Sequence, residues 1–168
     1  IEGVRQSFEP NGVFVAEVAQ YRHGFLASHD EARRQKGVKT VVKALQDARA
    51  LQAHCVGVSS PFAESDWWSE KTWTLLCNSL GEVAVEAEAL GVNLAFHPTN
   101  QGPLDAPEQL RRIVDDVGSP RMKVMLDPVN MFTHRTIYDT TDFLNFMFDL
   151  LGDVIIGAHA KDINLDIS

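Results

Sequence analysis

The chain is short of sulfur and of positive charge, and it lacks any long apolar run. Its two cysteines, Cys55 and Cys77, form no CxxC pair, so neither a disulfide framework nor a zinc ribbon is expected. They read as buried free thiols of a reducing compartment, and the expectation is a cytoplasmic protein. No apolar stretch approaches the roughly 18 residues of a membrane span, so no membrane partner is expected. Ile1-Glu2-Gly3-Val4-Arg5 has no signal-peptide core. It also has no initiator Met, as in a chain that begins inside a longer protein. Basic residues number 15 against 23 acidic ones, a net charge of −8. Such a surface repels phosphate backbones, and no nucleic-acid partner is expected. The densest basic cluster, Arg33-Arg34-Gln35-Lys36, follows Asp30 and Glu31 and reads as a solvated helix face. No Gly-rich loop follows any strand, so both the dinucleotide fingerprint and the P-loop are absent.

What remains is an ordinary globular composition, 45% apolar and 23% charged over 168 residues, enough for one domain. Residues 1–12 give only a turn at Phe8-Glu9-Pro10-Asn11-Gly12. Val13–Ala16 reads as a first strand, and 17–27 as a loop carrying Tyr21 and His23. Ser28, with Glu31 at N3, predicts the start of a long helix whose stripe is Val38, Val41, Val42, Leu45 and Ala48. Cys55–Val58 is a buried strand. A second helix presents Trp73, Leu76, Leu80, Val83, Ala87 and Leu90 and ends at Gly91. Strand Val92–Phe96 follows. Asp105 and Glu108 predict the start of a third helix, with Leu110, Ile113, Val114 and Val117 inward and Gly118 at its end. Strand Met122–Leu126 leads to a loop over 127–141. Asp142 opens a fourth helix with Phe143, Phe146, Met147 and Leu150 inward, and Val154–Ala158 is the last strand.

Strands thus alternate with helices, and they are continuous apolar runs. That pattern marks a parallel sheet covered on both faces. Length favours an open doubly wound sheet, because a (β/α)8 barrel takes about 250 residues. The strand ends favour the barrel. Three successive apolar runs stop at His97-Pro98, at Asp127-Pro128 and at His159. Parallel strands put all their C-terminal ends on one face, and a barrel makes those ends converge. A lone His there is commonly a hydrogen-bonded structural residue, and an Asp before Pro a turn former. Ligand-type residues on three consecutive strands point instead to a shared metal or catalytic centre.

Three segments resemble the xylose-isomerase-like barrel superfamily of sugar and sugar-phosphate isomerases and epimerases. They are Gly91–Pro98, Leu126-Asp127-Pro128-Val129-Asn130 and His159-Ala160-Lys161-Asp162, similar to that superfamily's strand-four, strand-five and strand-six motifs. The Ala-rich helix running into Cys55–Ser59 resembles its third unit, and the likeness spans residues 13–165. The resemblance implies an α/β fold of TIM-barrel type. It is a single partial domain over 1–168, about five βα units, strands two to six. Unpaired sheet edges would then have to be covered by further segments or by a second copy of the chain, a homo-oligomer.

The implied activity is metal-dependent isomerisation or epimerisation of a sugar or sugar phosphate by proton transfer next to a carbonyl. The implied cofactor is a divalent metal ion (Mn, Zn, Co or Mg) on His97, Asp127 and His159, with His97 also catalytic. The resemblance implies Asn130 as a substrate contact, and Lys161, with Trp67 and Trp68 on the loop after strand three, are further candidates from their positions. The plain structural roles open to Asn130, Lys161 and Trp67 are, respectively, a turn residue, an ion pair with Asp162, and ordinary burial. His134 is expected to be exposed. Two departures bear on the activity. His97 stands where the superfamily carries a catalytic Glu, and the last-strand Glu falls beyond Ser168. Two His and one Asp also shift metal preference from Mn or Mg toward Zn, Co or Fe. The competing readings are a non-catalytic or truncated relative and a metal-dependent phosphoester hydrolase of the same superfamily. The charge of −8 counts against DNA as the latter's substrate.

Overall fold

A computed structural model describes residues 1–21, 25–59, 69–99 and 104–162. The elements are α1 (Glu2–Phe8), β1 (Glu17–Gln20), α2 (Glu31–Leu51), β2 (Cys55–Val58), α3 (Glu70–Leu90), β3 (Asn93–Phe96), α4 (Pro107–Val117), β4 (Met122–Leu126), α5 (Thr140–Leu151) and β5 (Ile155–Ala158). No helix among the described residues is long and apolar enough to cross a membrane.

The five strands are all parallel and lie in the order β1-β2-β3-β4-β5. A doubly wound sheet reverses its order at a switch point. Here each strand is laid beside the one before it, which is the winding of a barrel. The architecture is therefore a partial (β/α) TIM barrel, and the length argument for an open sheet fails. Register runs Glu17 to Cys55 to Asn93 across the first three strands. It slips between Val124 and Met125, where β4 meets β5.

In β2, β3 and β4 both sheet faces are buried, whereas the edge strands β1 and β5 are partly exposed, and successive residues alternate between the faces. Val56, Val58, Leu94, Phe96, Val124 and Leu126 face the helices, packing in one cluster with Leu45, Leu76, Leu80, Leu110 and Ile113. Cys55, Ala95 and Met125, with Ile156 against them, form a separate cluster on the other face, the barrel lumen. Burial on both faces is why the strands read as unbroken apolar runs.

Local details differ from the sequence reading. The first strand is Glu17–Gln20, not Val13–Ala16. Val13 and Phe14 are 51% and 79% exposed, while Glu17–Gln20 pairs with β2 along its length. Only Val18 of that strand packs on the helix-side core, so its apolar signal was weak. Asp30, not Ser28, caps α2: its carboxylate accepts the Arg33 amide at 3.0 Å, and Ser28 Oγ accepts the Asp30 amide at 3.3 Å. Ser28 instead follows a 3-10 turn over Phe25–Ala27. Ala106 holds the N-cap of α4 with no side-chain bond, because Pro107 sets the first helical φ. Helix α5 starts at Thr140, and Asp142 lies in its first turn. Met147 is buried as expected, with Phe143 and Leu150 packed against the core, but Phe146 is 41% exposed and Leu151 is buried in its place. Gly91 and Gly118 end their helices with φ of 68° and 66°, as expected.

Candidate metal centre

His97, Asp127 and His159 are each the residue that follows a strand. Two of them are still tied into the ladder. The His97 amide donates to Val58 O at 2.7 Å and the His159 amide to Leu126 O at 2.8 Å. Pro98 and Pro128 stop the strands just beyond. The three side chains meet. His97 Nε2 lies 2.9 Å from Asp127 Oδ2 and 3.1 Å from His159 Nδ1, and His159 Nδ1 lies 3.4 Å from the same oxygen. Ligand atoms about 2.1 Å from a tetrahedral ion lie roughly 3.4 Å apart. The three separations are close to that figure.

The electrostatics suit a cation. Asp127 is wholly buried. Burial alone would raise its pKa, but hydrogen bonds from Lys161 and His97 outweigh it and hold the carboxyl below its usual range. Its Oδ1 is buried with no hydrogen-bond partner among the described residues. An orphaned buried carboxylate oxygen beside two imidazole nitrogens is a donor set in want of an acceptor. His97 is also buried. Desolvation lowers its pKa, against the opposing pull of Asp127, so the ring stays neutral at pH 7 and keeps a lone pair. Neutral imidazole and carboxylate are the forms that ligate.

Lys161 forms an ion pair with Asp127 Oδ2 and donates to Asn130 Oδ1 at 3.3 Å. Asn130 Nδ2 in turn donates to Pro98 O at 3.2 Å. Asn130 thus ties the loop after β4 to the loop after β3. Beside His159 and Lys161 opens a cavity of about 590 Å³, walled on its apolar side by Val129, Phe132, Ile137 and Leu144. That volume is of small-ligand size. Trp67, Trp68 and His23 lie outside the described residues. His134 is exposed and apart from the centre.

The sequence reading missed two residues here. Glu17 Oε2 lies 3.4 Å from His159 Nε2, and the Tyr21 hydroxyl donates to Glu17 Oε1. The Tyr21 ring packs on His97 with centroids 4.5 Å apart and meets His159 edge-on at 6.2 Å. Asp127 is therefore not the only carboxylate at the centre. Gly57 was the available signal. A glycine inside an apolar strand marks a close approach, and a Cβ there would lie 1.6 Å from Glu17 Oε1.

These features define a class: a parallel (β/α) barrel segment with a His/Asp/His cluster at the C-terminal strand ends, where such barrels carry their sites. The chain matches the profile of the xylose isomerase-like TIM barrel over residues 1–166, and it belongs to that family. Among solved structures it resembles the apo 3-keto-D-glucoside 4-epimerase of Escherichia coli, with a TM-score of 0.80 and 16% identity, over 96% of this chain and 64% of that one. It resembles a D-tagatose 3-epimerase-like protein with a TM-score of 0.79 and 20% identity, over 97% and 61%. A third similar structure is the IolI protein with a zinc atom, at a TM-score of 0.69 and 17% identity, over 77% and 47%. The chain spans about three fifths of the length of the two epimerase structures. No curated protein sequence matches it.

Proposed function

We propose that this chain carries the metal centre of a sugar or sugar-phosphate isomerase or epimerase. His97, Asp127 and His159 would hold one divalent cation, with Zn or Co favoured over Mn or Mg by the two imidazoles. The observation that carries this reading is the convergence of their three donor atoms, beside an unpartnered Asp127 oxygen. A divalent cation held by these three residues would supply Lewis-acid polarisation of a substrate carbonyl.

The remaining roles belong to the chain's own side chains. Asp127 supplies the negative charge. His97 stands at the proton-transfer position in its neutral form, able to ligate or to accept a proton. Because Nε2 is the atom that meets Asp127 and His159, ligation is its first role. Lys161 lines the cavity with an ammonium suited to sugar oxygens or a phosphate, and Asn130 holds that ammonium through its amide oxygen. Trp67 is retained as an aromatic surface for the ring on its sequence position alone.

The test is to incubate the metal-loaded chain with a panel of ketoses and their phosphates in D₂O. Metal-dependent incorporation of deuterium next to the carbonyl is expected. A chain that binds metal but exchanges no hydrogen with any of them contradicts the proposal.

A further inference from the structure

We propose that Glu17 is the positioning residue for His159. It would fix that ring's tautomer so that Nδ1 presents a lone pair to the metal centre. The inference rests on the metal-centre reading above and deepens it.

A neutral imidazole carries one proton, and the nitrogen bearing it is set by what the other side of the ring meets. His159 has a different partner on each side. Its Nδ1 faces His97 Nε2 at 3.1 Å and Asp127 Oδ2 at 3.4 Å, while its Nε2 faces Glu17 Oε2 at 3.4 Å. A carboxylate only accepts. Asp127 Oδ2 is as far from Nδ1 but already accepts from Lys161 and His97, so the Glu17 contact places the proton on Nε2 and leaves the Nδ1 lone pair pointing into the cluster. A carboxylate behind a ligating histidine also raises its basicity and fixes the ring orientation.

Glu17 does not join the ligand set itself, because it meets the far nitrogen of His159. Its side chain is 14% exposed, and its ion-pair partner among the described residues is His159. Its other oxygen is occupied: Oε1 accepts the Tyr21 hydroxyl. Tyr21 then ties Glu17 to the rings, since it packs on both His97 and His159. Gly57 provides the room. A Cβ at that position would lie 1.6 Å from Glu17 Oε1 and 2.9 Å from Tyr21 Cε1. Two strands that supply no ligand, β1 and β2, thus act on the centre through one carboxylate.

The experiment has two readouts on the purified 168-residue chain. Long-range ¹H–¹⁵N spectra of the chelator-treated protein report the His159 tautomer. Competition with a chromophoric chelator reports Zn(II) affinity. The wild-type chain should show His159 protonated at Nε2. Glu17→Ala should give a mixture of tautomers and weaken Zn(II) binding about 10–100-fold. Glu17→Gln, whose amide oxygen still accepts from Nε2, should lose less. Tyr21→Phe should weaken binding in the same direction. If Glu17→Ala does not fold, Glu17→Gln and Tyr21→Phe carry the test, and wild-type affinity and tautomer in both overturn the proposal. Wild-type affinity in a folded Glu17→Ala overturns the role of Glu17 and leaves the centre standing. A wild-type chain that binds no Zn(II) overturns both.

Discussion

His159 and Glu17 belong to opposite edges of the sheet, yet Nε2 of one lies 3.4 Å from Oε2 of the other. Five flat strands would separate the outer two by roughly 19 Å at about 4.8 Å per step. The contact exists because the sheet is rolled, and rolling brings the strand ends onto one axis. The same curvature gathers His97, Asp127 and His159.

Gly57 is where that packing is tightest. Gly57→Ala puts a methyl group into the space of Glu17 Oε1 and Tyr21 Cε1. Overpacking of this kind costs about 1–3 kcal/mol. The urea midpoint should fall accordingly, and the His159 spectrum should resemble that of Glu17→Ala.

Stability should depend on pH in two windows. The folded His97 binds a proton less readily than its ordinary value of 6.5, chiefly because burial disfavours its charge. The unfolded chain then holds more protons, so stability falls as pH drops from about 6.5 through the lower folded value. Asp127 is held below 3.8 once its bonds to Lys161 and His97 outweigh burial. Its contribution is present above that pH and is lost as pH falls through the folded value. Urea midpoints across this range check both. His97→Gln should remove the first slope and keep most of the second.

Lys161 competes with a cation for Asp127, because its ammonium pairs with Oδ2. Lys161→Met should tighten Zn(II) binding. The Lys161 side chain is 43% exposed, which limits the gain to about 1 kcal/mol, roughly fivefold. Calorimetric titration checks the direction. The same variant should weaken any sugar-phosphate contact at the cavity.

The helix-side core should behave as a close-packed interior. Leu94 is fully buried on β3, among Val56, Phe96 and the helices. Leu94→Ala should cost about 2–5 kcal/mol, read from urea unfolding of the metal-free protein.

The sequence carried some of this more clearly than the rest. Strands β2 and β4 were legible to the residue, because runs buried on both faces are apolar, with Lys123 the one polar position in β4, and stop at polar or Pro positions. The trio was legible for the same reason: each member ends such a run. Strand β1 was not. Glu17 and Gln20 leave too few apolar residues to signal a strand, and exposed Val13 and Phe14 imitated one. Glu17 went unnoticed with it. Strand order is not written in hydrophobic pattern at all; the ligand-type residues at the strand ends and the family resemblance pointed to the barrel, and the pairing order agrees. The inward face of α5 was legible in Phe143, Met147 and Leu150, which pack on the core, and wrong only at Phe146, which is 41% exposed while Leu151 is buried.

His97, Asp127 and His159 are proposed to hold one divalent cation. Equilibrium dialysis of the chelator-stripped chain against Zn(II), with bound metal counted by elemental analysis, tests it most directly. One equivalent per wild-type chain is expected, and its loss in both Asp127→Ala and His159→Ala. No bound metal in the wild type, or unchanged stoichiometry in both variants, would contradict it.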